Sequence, residues 1–182
     1  MIIDTNIWNS LLVCIAHKTD VRSYLRGINI DVKNKRISST DGHRLFVKNE
    51  MVFDNACVFP SIIVELDNTF KAPNTITHIE IDESKFELGE KVQVNYYKGD
   101  EVVLSRYANL NEQRFPDIDR VLPTEGDETK TSMVAVNPEY IADISKAIGS
   151  KSIRLNIHKG DKYSIDFIPY KDVQYVVMAM RT

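Results

Sequence analysis

Residues 137–149, NPEYIADISKAIG, decide the reading of the fold. Asn137 is a good helix N-cap, Pro138 stands where proline is favoured at the first helical position, and Gly149 can close the helix in a left-handed turn. Between them Tyr140, Ile141, Ile144 and Ile148 fall on one apolar stripe. Strand patterns SIRLNI (152–157) and KYSIDFI (162–168) follow across a turn at Lys159-Gly160-Asp161, and the chain closes on YVVMAMR (175–181). One helix followed by short strands is a compact unit, and the same order recurs upstream.

In the first unit Asp4 or Thr5 can cap a helix whose stripe is Ile7, Trp8, Leu11, Leu12 and Ile15. GINIDV, RISST and RLFV follow as strands, the last two joined by a turn at Asp41-Gly42. The second unit opens with ACVF. Its apolar residues Ile62, Ile63, Leu66 and Phe70 predict a helix over about 60–70, before the strands HIEI, KVQVNYY and EVVLSRY. Between the second and third units lies LPTEGDETKTSM (122–133), polar and charged with Pro and Gly, which reads as a linker. The expected fold class is α+β: repeated strand-helix-three-strand units with antiparallel sheets and helices on one face.

Composition bounds the function. A chain of 182 residues, 43% hydrophobic and 27% charged, can bury a real core. The first residues lack a basic, uninterrupted apolar leader and no later run has the length to cross a bilayer, so a cytoplasmic location is expected, without a membrane partner. Cys14 and Cys57 form no CxxC and read as buried thiols. A net charge of -3 excludes a surface coated in basic charge. The chain holds no GxGxxG, GxxxxGK, HExxH or GxSxG, and its four histidines are scattered without metal-ligand spacing. No enzyme activity, cofactor or metal is expected.

Four passages resemble the bacterial sliding clamp, the beta subunit of DNA polymerase III. They are DVRSYLRGINI (20–30), SSTDGHRLFV (38–47), RFPDIDRVLP (114–123) and YVVMAMRT (175–182), in the family's order. The resemblance implies the DNA clamp fold. It divides the chain into a clamp-like domain at 1–123 made of units at about 1–54 and 55–123, a linker at 124–133, and a half-domain at 134–182. The first domain of the family's subunit and the first half of its last domain have no counterpart here. Rings of the family contain twelve such units, so three units per chain would need four chains.

The resemblance also implies a groove that receives peptide tails. Its lining would be Leu25, Thr40, Gly42, His43, Arg44, Leu45, Pro116, Arg120, Val121, Asn137, Tyr140, Ser164, Val176, Val177, Met178, Ala179, Met180 and Arg181. Ala179 departs from the family's usual proline. These residue types suit an extended peptide with Leu and Phe anchors, because apolar walls with flexible methionines accept several partners while arginines fix polar ends. From the residues alone, YVVMAMR reads as a buried edge strand and Phe115-Pro116 as a turn on the core.

The expected partners are DNA polymerase and other proteins with clamp-binding motifs, a clamp loader, and duplex DNA held weakly and without sequence specificity. DNA candidates are Lys18, Arg22, Tyr24, Lys71, Lys146 and Lys151, opposed by Glu65, Asp67 and Asp143. A strand edge left open by the unpaired third unit would drive homo-oligomerisation. The expected function is a processivity factor. The alternative is a clamp-like interaction module or decoy, of phage or mobile-element origin, that competes for clamp-binding partners without forming a ring.

Overall fold

A computed structural model of the chain describes residues 1–53, 59–87, 90–123, 135–158, 162–167 and 170–178. Strand β1 (Ile2–Asp4) leads directly into α1 (Thr5–Val13), because the Asp4 carboxylate accepts hydrogen bonds from the Asn6 and Ile7 amides at 2.8 and 3.4 Å. A 3-10 turn at Ser23–Leu25 precedes β2 (Gly27–Asp31), β3 (Arg36–Thr40) and β4 (Arg44–Lys48). Next come β5 (Ile62–Glu65), β6 (His78–Ile81), β7 (Lys91–Lys98) and β8 (Glu101–Asn111). A 3-10 turn at Ile118–Arg120, helix α2 (Pro138–Ile148), β9 (Ile153–His158), β10 (Lys162–Phe167) and β11 (Val173–Met178) complete the described chain.

The eleven strands among the described residues form one antiparallel sheet in the order β1-β6-β7-β8-β5-β2-β3-β4-β11-β10-β9. The third unit joins the first twice: β11 pairs with β4 in the register Val176 to Leu45, and α2 packs against α1. Arg44 strengthens the junction, since its guanidinium lies 4.5 Å from the centre of the Tyr140 ring and 3.4 Å from Asp143 on α2. Lys48 pairs with Asp172 at the far end of the same ladder.

The helix expected over 60–70 is not there, and β5 takes its place. Ile62, Ile63 and Val64 are consecutive β-branched residues, which suit a strand covered on both faces. Ile62 and Val64 enter the main core beneath the helices, while Ile63 enters a smaller core on the opposite face. Only a 3-10 turn at Asn68–Phe70 remains, started by the Asp67 carboxylate accepting from the Thr69 amide at 2.8 Å. ACVF, apart from Phe59, the linker at 124–133 and the turn at 159–161 lie outside the described residues.

Trp8 centres the main core at 0% exposure. Its indole N–H donates to the Phe70 carbonyl at 2.7 Å, and the Tyr96 hydroxyl donates to that same oxygen at 2.6 Å. The short 3-10 turn is thereby fastened to α1 and β7. The opposite core gathers Leu45, Val47, Ile63, Phe115, Ile118 and Val176.

Helix α2 begins and ends as its sequence dictates: the Asn137 carboxamide accepts from the Glu139 amide at 2.9 Å, and Gly149 adopts φ 71. Replacing Asn137 by alanine is expected to lower the unfolding free energy by about 1 kcal/mol, read as a lower midpoint in urea with an unchanged slope. Among the described residues no helix is long and apolar enough to cross a membrane, and no group of histidine, cysteine and carboxylate side chains could hold a metal ion.

Candidate peptide-binding groove

The β3–β4 hairpin forms one wall. At its tip the Asp41 carboxylate accepts from the His43 and Arg44 amides at 2.9 and 3.0 Å, and the Thr40 hydroxyl accepts from the Gly42 amide at 3.0 Å. Gly42 sits at φ 92, where a side chain is strained, and a Cβ there would lie 3.1 Å from the Arg22 guanidinium. The tip is therefore closed and rigid. Arg44 leaves it pointing back, held at 2.9 Å by Asp41 as well as by Asp143 and Tyr140.

The facing wall is the 3-10 turn at Ile118–Arg120. Arg36 on β3 binds Asp119 through two hydrogen bonds of 2.6 and 3.1 Å, and also reaches Asp31 at 3.0 Å. The hydrogen bonds from Arg36 hold the Asp119 carboxyl below the usual carboxylate range. That pairing pins the turn, so Ile118 and Phe115 can pack on Leu45, Val47 and Val176. Strand β11 makes the floor, and beyond its ladder with β4 the Met178 amide donates to the His43 carbonyl at 2.9 Å. The 3-10 turn at Ser23–Leu25 closes the remaining side.

These elements enclose a cavity of about 250 Å3. Leu25, Thr40, Gly42, Arg44, Leu45, Pro116, Val121, Val176 and Met178, all expected from the sequence, meet on its surface. Arg22, Tyr24, Asp117 and Ile118 line it as well. The sequence places Arg22 and Tyr24 among the DNA candidates; they belong to the quoted passage 20–30, and the signal that could have placed them here is their distance of three and one residues from Leu25. Hydrogen bonds from Arg22 bring the Asp20 carboxyl down to about 2, so this ion pair stays intact through the neutral range.

Other expected groove residues lie elsewhere. Val177 points into the main core, Asn137 caps α2, and Tyr140 stacks under Arg44. His43 and Arg120 are exposed beside the cavity, Arg120 pairing with Asp117 at 3.0 Å. Ser164 is placed on β10 opposite Val176. Ala179, Met180 and Arg181 fall outside the described residues.

The helix side carries different chemistry. A polar cleft of about 580 Å3 runs between α1, α2 and the 68–77 loop, and Lys71 and Lys146 share it with Asp4 and Asp143. Lys18 lies apart, beside Arg26, Glu65 and Asp67, and Lys151 is exposed beyond α2.

No family model matches the sequence, and no curated protein matches it. Solved structures match over the whole of this chain. The C. crescentus beta sliding clamp is 16% identical with a TM-score of 0.67, the beta subunit from DNA polymerase of Streptococcus pyogenes 16% with 0.64, and the DNA polymerase III subunit beta from Borrelia burgdorferi, solved with a natural product, 14% with 0.67. The fold is therefore that of a DNA sliding clamp. The structures matched are bacterial beta subunits of DNA polymerase or DNA polymerase III, and this chain spans 65%, 66% and 62% of those three chains.

Proposed function

We propose that this chain is a clamp-like replication accessory that seats the extended tails of polymerases and associated proteins in the groove between β4, β11 and the turn at Ile118–Arg120. The carrying observation is the cavity itself: apolar walls from Leu25, Leu45, Val121, Val176 and Met178, with Arg22 and Arg44 fixed at the rim by carboxylates. Apolar anchors supply affinity, and fixed cations orient the polar parts of the tail without losing side-chain freedom on binding. Burial of a leucine and a phenylalanine contributes about 3–6 kcal/mol. After ordering costs, a single peptide should bind with a dissociation constant on the order of 1–100 µM.

The same reading gives the helix side weak contact with duplex DNA through Lys71, Lys146 and Lys151. Asp4 and Asp143 in the shared cleft dilute that charge, which supports loose, salt-sensitive contact rather than a grip. Self-association is supported by β9, whose outer edge pairs with no described strand and whose Leu155 is 51% exposed.

Val121→Asp tests the groove without disturbing a fully buried side chain. It should weaken a Gln-Leu-x-Leu-Phe type peptide at least about tenfold in fluorescence anisotropy. Unchanged affinity in the folded variant would contradict the groove.

A further inference from the structure

The segment that walls the groove has a second side. Pro116, Asp117 and Ile118 line the apolar cavity, and they also line a cavity of about 430 Å3 that lies between this segment, the β2–β3 hairpin and Pro60. The two differ in chemistry. Asn29 and Asp31, both buried, belong to the second: the Ser61 hydroxyl donates to the Asn29 carboxamide at 2.7 Å, and the Asp31 carboxylate accepts from Arg36 at 3.0 Å. Along the partition between the cavities the amides of Arg114 and Asp117 donate to no other described residue.

Charge selects the occupant. Of the ionic groups lining the second cavity, Arg36 is held by Asp31 and Asp119, and Asp117 pairs with Arg120. Lys33, Arg114 and Glu112 make no ion pair among the described residues, which leaves two uncommitted cations against one carboxylate. The chain as a whole carries a net charge of -3, so any attraction for an acidic segment comes from these local cations and not from the overall field.

We infer that the second cavity receives acidic residues flanking the apolar anchors of a bound tail, an inference that rests on the groove reading. A tail leaving the groove over Pro116 passes from apolar to polar walls, the usual order from the centre of an interface to its rim. The free amides of Arg114 and Asp117 lie along that path as donors to its carbonyls. Lys33 and Arg114 then select the flank by charge, and the groove selects the anchors by shape.

The test compares peptides by fluorescence anisotropy on the full-length chain: a bare Gln-Leu-x-Leu-Phe motif, and the same motif with glutamates added before it or after it. One of the two flanked peptides should bind the wild type about fivefold tighter than the bare motif at low ionic strength, and the gain should vanish at about 1 M salt. Lys33→Glu combined with Arg114→Glu should abolish the gain and turn the preference toward lysine flanks. The bare motif should keep its affinity for that variant, since both side chains are exposed and neither lines the groove cavity. Equal affinity of the wild type for bare and flanked peptides, or a gain that survives in the double variant, overturns the inference and leaves the groove standing. Failure of every peptide to bind overturns both.

Discussion

Replacing Trp8 by alanine is expected to lower the unfolding free energy by about 3–5 kcal/mol, enough to leave a domain of ordinary stability close to unfolding. The side chain is wholly buried, meets Tyr96 edge-on at 6.2 Å, and donates to the Phe70 carbonyl. Its loss opens a cavity where α1, β7 and the turn at Asn68–Phe70 converge. Trp8→Phe separates the two contributions: it keeps most of the volume, and the Phe70 oxygen still accepts from Tyr96. That variant should lose only about 1–2 kcal/mol. Trp8 is the single tryptophan, so urea unfolding should be followed by circular dichroism. A loss below about 1 kcal/mol for the alanine variant would show that the core is not centred there.

Removing residues 178–182 should reduce peptide affinity at least about 100-fold while leaving the fold intact. The ladder of β11 on β4 runs from Val173 to Val177, so truncation after Val177 spares every strand pair of that ladder. Among the described residues the fold loses the hydrogen bond from the Met178 amide to the His43 carbonyl, at about 1 kcal/mol, and the terminal Met178–Lys162 pair of the ladder between β11 and β10. The groove loses more, because Met178 is part of its surface and a polarisable, flexible side chain suits a site that moulds to several tails. A folded truncation that binds the peptide as well as the full chain would remove β11 from the site.

Much of this arrangement is legible in the sequence. Asn137, Pro138 and Gly149 define α2 to the residue because caps act locally, and Asp41-Gly42 marks the β3–β4 turn for the same reason. The misreading at 60–70 has a tertiary cause. Ile62, Ile63 and Leu66 satisfy a helical stripe as well as a strand, and what selects the strand is a second small core, on the far side of β5, that takes Ile63. Within the segment the β-branched run Ile62-Ile63-Val64 is the signal for it. Nine of the expected groove residues share one cavity because strand periodicity and the hairpin tip fix their directions. Val177 and Tyr140 do not line that cavity: a neighbour of a lining residue on a strand faces the opposite side, and a residue on α2 reaches the site only through Arg44. Arg22 reads as a DNA contact from its charge, and only the approach of its guanidinium to Gly42 places it at the cavity.

A clamp-binding peptide is expected to sit in the groove between β4, β11 and the turn at Ile118–Arg120. Titrating the isotopically labelled full-length chain with a Gln-Leu-x-Leu-Phe peptide, followed by amide chemical shifts, locates it directly. The predicted result is a saturable set of shifts centred on Leu25, residues 40–45, Val121 and residues 176–178, with α1 and the β7–β8 hairpin silent. Shifts centred on the cleft between α1 and α2, or none at millimolar peptide, would contradict it.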